Sequence, residues 1–227
     1  PPHSTHLAGL QLRDQFEIKW WVDFRDPWTD IFYNKQMQRT QSSENKDAQI
    51  EKSVLQKANG VITTVGGDLH QSLKQKAPNQ RFISIANGFD AELMAGIKSD
   101  PPGDVFHLVY TGLLTHQQSY PSIIKALQNL EGNCLIRFSL AGNIPKEIIE
   151  EIRAALPEVE LIYHGYLNHK EAITLMKSAH LLLNFIFEGA KTQMISGKLL
   201  EYIASKRPIL SLGATNSEAA KLINKGS

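Results

Sequence analysis

The chain has 227 residues, of which 42% are hydrophobic and 21% are charged, and its formal net charge is +1. This length is enough to bury a real core, as one large or two small domains. The near-neutral charge excludes a broad nucleic-acid-binding surface. The single cysteine excludes an internal disulfide, and no apolar run approaches the ~20 residues that span a bilayer. We therefore expect a globular, cytoplasmic protein that binds no nucleic acid.

The first part of the chain alternates predicted helices with predicted strands. The helices are predicted at 4–15, 44–58 and 67–75, and the strands at 20–24, 60–65 and 81–86. Such alternation is typical of a parallel sheet with crossover helices. Three strands are too few for a complete domain of this kind.

The segment after the first predicted strand carries charged residues where a loop begins. Arg25 lies between two carboxylates, those of Asp23 and Asp26. One interpretation is an ion pair that fixes the loop. The other is that Arg25 reaches a ligand and that Asp26 orients it. The residues themselves leave both open.

His3 and His6 are three residues apart and could share one face of a helix. Two histidines alone do not hold a metal ion, and no second cluster of Cys, His or carboxylates completes a recognisable site. The sequence also contains no Asp-x-Asp pair. We expect no bound metal.

A change in composition separates the two parts of the chain. Residues 89–104 end in a Pro-Pro-Gly run and follow an Asn-Gly pair, which is more typical of a connector than of an element interior. We place an N-terminal domain at 1–95, a linker at 96–104 and a C-terminal domain at 105–227.

The C-terminal part contains five predicted strands, each followed by a predicted helix. The strands are predicted at 106–110, 135–140, 160–163, 181–187 and 208–212, and the helices at 121–130, 146–155, 169–178, 198–205 and 218–224. Five such units in succession indicate a doubly wound α/β domain. In such domains ligands bind beyond the carboxyl ends of the strands, where Gly112, Gly142, Asn143 and Gly165 are found. A glycine there serves either close approach to a ligand or a positive φ.

The helix predicted to begin after Ser196 and Gly197 has features of an anion site. A helix N-terminus carries unpaired N–H groups and partial positive charge, so it suits a diphosphate. Glu201 is placed near that end, where it can accept hydrogen bonds from sugar hydroxyls. The alternative is that Glu201 merely offsets the helix dipole and that Lys198 is solvated.

Four segments in order resemble the glycosyltransferases of the GT-B fold, group 1 (family 4) type: residues 20–28, 86–90, 109–112 and 196–205. The resemblance covers nearly the whole chain. It implies two Rossmann-like, doubly wound parallel-sheet domains. The first would be incomplete at its N-terminus, because family members carry further strand-helix units before the position of Pro1, and the second would be short at its C-terminus.

The resemblance also implies an activity. Members transfer a sugar from a nucleotide-sugar donor to a glycan or lipid-linked acceptor, as in polysaccharide biosynthesis. Those of this type retain the anomeric configuration and need neither metal nor cofactor. Association with the inner face of a membrane, through segments outside this sequence, is an alternative to a purely cytoplasmic location.

The matching positions receive roles from the family. The implied donor-binding residues lie after the strands or around the helix start: Gly112, Asn143, Gly165, Tyr166, Leu167, Gln193, Ser196, Gly197, Lys198 and Glu201. The loop at Gly112 and the helix start would hold the diphosphate, the 165–167 loop would back the nucleobase, and Glu201 would bind the ribose. Arg25 and Asp26 would act catalytically near the transferred sugar, with His3 and Ser4 near the acceptor.

Two positions depart from the family pattern. Gln193 stands eight residues before Glu201, where members carry a glutamate. An amide can hydrogen-bond a sugar hydroxyl but brings no negative charge to an oxocarbenium-like centre. The loop 113–118 lacks the Arg or Lys that many members place against the diphosphate, a role open to Lys198 or to a protonated His116.

Two other functions stay open at this point. A nucleotide-sugar epimerase of the same fold would use its own acid and base carboxylates and no acceptor. A non-catalytic nucleotide-sugar-binding scaffold would keep the apolar pattern and lose polar loops. Gln193 favours the scaffold, and Glu201 argues against it.

Overall fold

The computed structural model describes residues 3–31, 34, 37–99, 103–130, 135–187 and 195–225. The chain divides into two compact units, one of residues 1–87 with 189–195 and one of residues 88–188 with 196–227. This division lies earlier in the chain than the boundary expected at 95 to 105. Each unit is built on its own parallel sheet.

In its described residues the first unit alternates three helices with three strands: α1 (Ser4–Phe16), β1 (Trp21–Phe24), α2 (Gln41–Lys57), β2 (Gly60–Thr63), α3 (Asp68–Lys76) and β3 (Phe82–Ser84). The strands pair in parallel in the order β1-β2-β3. Val22 and Phe24 are buried while Trp21 and Asp23 between them are exposed. Because side chains alternate across a strand, the buried pair shares one face and joins the core of this unit.

A buried carboxylate ties the first unit together. Glu51 on α2 is 1% exposed, and it accepts hydrogen bonds from Thr29 Oγ1 at 2.6 Å and from Lys76 Nζ at 2.7 Å. Lys76 also pairs with Asp30 at 2.7 Å. A charge this deeply buried is tolerated only with such partners. The network therefore fixes α2 and α3 to the loop that follows β1.

The second unit contains a short helix and then five strand-helix units: α4 (Ala91–Gly96), β4 (Phe106–Thr111), α5 (Tyr120–Gln128), β5 (Ile136–Ala141), α6 (Lys146–Ala155), β6 (Glu160–Tyr163), α7 (His169–Lys177), β7 (Leu181–Phe185), α8 (Gly197–Ala204), β8 (Ile209–Leu212) and α9 (Glu218–Lys225). All its strands are parallel, in the order β6-β5-β4-β7-β8. The chain therefore adds β5 and β6 on one side of β4 and then β7 and β8 on the other side. The boundary between β4 and β7 is the topological switch point of the sheet.

Helices cover both faces of this sheet. Leu108 and Tyr110 of β4 join the cluster that contains α5 and α6, whereas Val109 packs with Met176 of α7 and Tyr202 of α8. Successive residues of a strand point to opposite faces, so β4 is buried on both sides. The prediction of doubly wound α/β architecture is confirmed.

Residues 91–96 form α4, so the expectation of a connector was wrong there. Asp90 caps this helix by accepting a hydrogen bond from Leu93 N at 2.8 Å. Lys177 Nζ donates to the carbonyls of Met94 and Ile97 at the end of α4. The missed signal was Asp90, because an aspartate before a helix-forming run is a strong N-cap.

Across the described ranges, no helix combines the length and apolar character that crossing a membrane requires.

Candidate functional site

Three glycines with positive φ end three adjacent strands of the second unit. Gly112 has φ 120°, Gly142 has φ 119° and Gly165 has φ 68°. Gly142 N donates to Gly165 O at 2.7 Å, and Gly112 N donates to Ala141 O at 2.8 Å, so the pairing continues past the strands. A Cβ placed on Gly142 would lie 2.3 Å from Gly112 O. At Gly142 the backbone thus requires glycine for both reasons, conformation and close approach.

The loop after Gly112 folds back onto the sheet. Leu114 is fully buried, and its N–H donates to the carbonyl of Asn143 at 3.2 Å. The amide of Gln118 donates to Tyr110 Oη and to Phe185 O, at 3.3 Å and 3.2 Å. These bonds hold the loop against β4 and β7, next to the switch point. Asn143 contributes through its backbone.

His116 has a partner within the same loop region. Its Nδ1 lies 3.0 Å from Tyr120 Oη, which in turn donates to Glu151 Oε2 at 2.7 Å. Because the tyrosine proton goes to Glu151, Nδ1 of His116 carries the hydrogen of the first bond. His116 is thereby held by α5.

Lys198 lies next to the Gly112 turn. Its Nζ is 3.8 Å from the centroid of the Tyr110 ring. A Cβ placed on Gly112 would be 3.4 Å from the same nitrogen. Gly112 and Lys198 are predicted from the sequence to belong to the same site. In the structure, Gly112 in the loop after β4 and Lys198 in the first turn of α8 lie next to each other.

Lys198 is an unpaired cation within the described part of the chain. Burial lowers its pKa from 10.5 to about 7, and no described carboxylate offsets the cost of desolvation. The face of the Tyr110 ring attracts the ammonium but brings no net charge. An anion bound beside Gly112 would supply the missing counter-charge.

The start of α8 has no side-chain cap. Ser196 is the N-cap residue, yet its hydroxyl donates to Asn184 Oδ1 at 3.3 Å and accepts no hydrogen bond from the helix. Gly197 is exposed, and a Cβ placed on it would meet nothing within 4 Å. Among the described residues, therefore, the N-cap side chain gives the first N–H groups of α8 no acceptor.

Glu201 is paired with a histidine that the sequence analysis did not single out. Its Oε1 accepts a hydrogen bond from His169 Nε2 at 2.7 Å. The sequence held a partial signal, because Asn168 and Glu171 have the spacing of a capping box and so place His169 in the first turn of a helix. Only the tertiary structure brings that turn to Glu201.

Tyr202 anchors α8 to the end of β4. It is fully buried, and its hydroxyl oxygen accepts a hydrogen bond from Thr111 N at 2.9 Å and lies 3.2 Å from Thr111 Oγ1. This contact fixes the position of the helix turn that carries Lys198 and Glu201.

Replacing Tyr202 with phenylalanine tests that anchor. The change leaves the buried N–H of Thr111 without its acceptor, so we expect the free energy of unfolding to fall by about 1–3 kcal/mol. Urea unfolding measures the difference. Tyr163→Phe is the matched control, because Tyr163 Oη donates to Gly142 O from an exposed position. Equal losses in both variants would contradict the anchoring role.

The predicted nucleobase loop ends in an exposed aromatic. Tyr166 is 89% exposed, while Leu167 is partly buried. Both follow Gly165, whose carbonyl is held by Gly142 N. The loop thus leaves the carboxyl edge of the sheet between β6 and α7 with its aromatic side chain free of the core.

The predicted residues of the first unit lie beside the end of β1. Arg25 Nε lies 3.4 Å from Asp23 Oδ2, and both side chains are exposed, so the pair weighed from sequence is present. Asp26 is half-buried and Ser4 is exposed at the start of α1. The ring of His3 stacks on Trp28 at 4.8 Å.

The two histidines at the start of the chain, His3 and His6, are both partly buried. Burial lowers the pKa of His3, and it lowers the pKa of His6 to about 4. His6 stacks on Phe24 with 4.6 Å between ring centroids. No group of three or more potential metal ligands occurs among the described residues. Gln193 lies outside them.

Comparison with known proteins identifies the fold. No protein-family profile matches the chain, and no curated protein sequence matches it either. Solved structures do match. HepE of Anabaena, solved with UDP and glucose, is 13% identical with a TM-score of 0.63, and the match covers 99% of this chain and 65% of HepE.

Two further structures agree. Sucrose-phosphate synthase of Thermosynechococcus elongatus is 15% identical with a TM-score of 0.64, over 91% of this chain and 53% of the synthase. The pneumococcal O-GlcNAc transferase GtfA, solved with UDP and GlcNAc, is 16% identical with a TM-score of 0.53, over 74% of this chain and 32% of GtfA. The resemblance to GT-B glycosyltransferases is thus confirmed for the fold, and the chain spans less than two thirds of each of these proteins.

Proposed function

We propose that this chain is part of a glycosyltransferase and that its second unit binds the nucleotide-sugar donor. The observation that carries the proposal is Lys198, a partly buried cation with no carboxylate partner within the described part of the chain, whose pKa burial lowers to about 7. It lies beside the positive-φ turn at Gly112 and in the first turn of α8, whose N-cap residue Ser196 makes no side-chain cap hydrogen bond among the described residues. Cation, backbone turn and helix start together form an anion site at the carboxyl edge of the sheet.

The chemistry follows from what these groups can do. A diphosphate at Lys198 is stabilised most when the sugar leaves and negative charge grows on the phosphate oxygens, which is where fixed positive groups lower a barrier. Glu201 accepts hydrogen bonds from the ribose hydroxyls. Such departure needs no side-chain nucleophile and no metal, and we propose a retaining, metal-independent transfer to a glycan or lipid-linked acceptor.

The first unit would serve the transferred sugar and the acceptor. Arg25 and Asp26 follow β1, and the Arg25 side chain is exposed despite its contact with Asp23. His3 and Ser4 begin α1 beside the same strand end. We propose Arg25 and Asp26 for the sugar and His3 and Ser4 for the acceptor.

Nucleotide titration tests the donor site directly. We propose uridine as the base, since HepE and GtfA were solved with UDP, and UDP, GDP and ADP form the panel. Calorimetry should show saturable binding of one of them. Glu201→Ala should weaken that binding by about 1–3 kcal/mol, because a charged hydrogen-bond acceptor is lost.

The control is Glu158→Ala, which removes an exposed carboxylate that follows α6. Its affinity should equal that of the unmodified protein. If a demonstrably folded protein binds none of the three nucleotides, or if Glu201→Ala binds as tightly as Glu158→Ala, the proposed donor site is wrong.

A further inference from the structure

His169 and Glu201 form a contact between two helices at the carboxyl edge of the second sheet. Nε2 of His169 lies 2.7 Å from Oε1 of Glu201. The side chains are 53% and 25% exposed, respectively, so the contact is reachable from solvent on the histidine side. A carboxylate has two oxygens, and Oε2 has no hydrogen-bond partner among the described residues. Within the described part of the chain, one oxygen is therefore held by His169 and the other makes no hydrogen bond.

Both members of the pair are held in place by their own helices. Asn168 Oδ1 accepts from Glu171 N at 3.0 Å, and Glu171 Oε2 accepts from Asn168 N at 3.0 Å, so the capping box fixes where α7 begins. On α8, Tyr202 follows Glu201 directly and is bound to Thr111 of β4. The backbone positions from which the two side chains meet are thus fixed by contacts within the protein.

The contact with His169 restricts the Glu201 carboxylate, although the pair is partly exposed. A free glutamate near a helix start samples several rotamers and loses that freedom when it binds a ligand. A histidine that already holds one oxygen removes part of this cost. His169 is also the first residue of α7, the helix that begins directly after the 165–167 loop. It therefore connects that loop to the carboxylate of Glu201.

We propose that His169 is a positioning residue for Glu201, orienting its carboxylate toward the 2′- and 3′-hydroxyls of a ribose and so making the site selective for ribonucleotides. The inference rests on the proposed function, in which Glu201 binds the ribose. His169 acts through Glu201 and takes no part in the chemistry of transfer.

The experiment compares a nucleotide with its 2′-deoxy form. Dissociation constants for UDP and 2′-deoxy-UDP are measured by calorimetry, or for the GDP or ADP pair if one of these is the nucleotide that binds. The unmodified protein should prefer the ribonucleotide by about tenfold or more, since a hydrogen bond to a carboxylate is lost in the deoxy form. His169→Ala should bring the ratio of the two constants close to one.

Two variants separate positioning from general structural damage. His169→Gln keeps an N–H donor on a side chain of similar reach, so it should restore most of the preference. Lys170→Ala, on the neighbouring exposed position of the same helix, should leave both constants unchanged. In a Glu201→Ala background, adding His169→Ala should change neither constant, because the residue it positions is gone.

The outcomes distinguish this inference from the proposed function. Absence of any nucleotide binding to the folded protein overturns both. If the nucleotide binds and Glu201→Ala weakens it while His169→Ala leaves the ratio unchanged, the donor site stands and the role of His169 is wrong. A His169→Ala variant that loses affinity for both forms equally shows a structural effect and likewise overturns the proposal.

Discussion

Replacing Lys198 with methionine should weaken binding of a nucleoside diphosphate about a hundredfold or more, and at neutral pH it should also make the fold more stable. The loss of affinity follows because the ammonium lies beside the Gly112 turn, and charge-assisted bonds to phosphate are strong. The gain in stability follows because methionine fills the same space without a desolvated charge. We expect roughly 0.5 to 2 kcal/mol in the free energy of unfolding.

The pH dependence of both effects has a definite sign. The folded-state pKa of Lys198, about 7, lies below its ordinary value of 10.5. Between these values the unfolded chain holds a proton that the folded chain has released, so this lysine makes stability rise with pH across that window. Below pH 7 its destabilising effect is complete. The methionine variant should lose this contribution and show a flatter dependence.

Nucleotide affinity should change in the opposite direction. A diphosphate favours the charged ammonium, so above pH 7 binding requires proton uptake and affinity should fall by up to about tenfold per pH unit. Lys198 Nζ faces the ring of Tyr110 of β4 and lies beside the Gly112 turn, and Glu201, one turn further along α8, pairs with His169. Calorimetry at pH 8 in two buffers of different ionisation enthalpy measures the proton uptake. The same measurement on Lys198→Met gives the proton uptake of the nucleotide itself, which is then subtracted.

Lys146 provides the control for these measurements. Its side chain is 83% exposed at the start of α6, so Lys146→Met should alter neither affinity nor the pH profile. If Lys198→Met binds the nucleotide as tightly as Lys146→Met does, the anion site lies elsewhere and the observation that carries the proposed function fails.

Gly142→Ala should destabilise the second unit by about 3 kcal/mol or more, the largest expected effect on stability. The φ of 119° at Gly142 is unfavourable for any residue with a Cβ. The new Cβ would also lie 2.3 Å from the carbonyl oxygen of Gly112, which is backbone and cannot swing away as a side chain would. Relief requires moving the turns that end β4 and β5.

Urea unfolding compares this variant with Gly96→Ala. Gly96 ends α4, and a Cβ there would meet nothing within 4 Å. Its replacement should leave stability unchanged or slightly raised, because alanine loses less conformational freedom on folding. A Gly142→Ala variant as stable as Gly96→Ala would show that the three strand ends are not rigidly coupled.

The elements of the second unit were predictable because apolar runs of strand and helix period alternate without interruption. The strand expected at 135–140 is found at Ile136–Ala141, and the helix expected at 169–178 is found at His169–Lys177. α4 was missed because the prolines after it dominated the interpretation of residues 89–104, although Asp90 marked a helix start. The prolines, which indicate a loop, and Asp90, which indicates a helix start, thus lay within one short segment.

The sequence predicted that Gly112, Lys198 and Glu201 lie at one edge of the sheet, and it did not predict their contacts. Strand ends and helix starts pointed to Gly112, Lys198 and Glu201, because a parallel sheet gathers such residues at one edge. That Lys198 lies over the Tyr110 ring, and that His169 pairs with Glu201, depends on residues 88 and 32 positions apart. No local sequence pattern predicts a contact between residues that are so far apart in the chain. In the first unit the sequence allowed two environments for Arg25, and the structure contains the contact with Asp23.

The depressed pKa of Lys198 also has a consequence for reactivity. An amine that is half-deprotonated near pH 7 presents a lone pair to electrophiles, whereas an ordinary lysine with a pKa near 10.4 is almost wholly ammonium at that pH. The unprotonated fraction is what reacts with acylating and aldehyde reagents. The same burial that makes Lys198 costly to the fold therefore makes it a selective attachment point for a covalent probe of the proposed anion site.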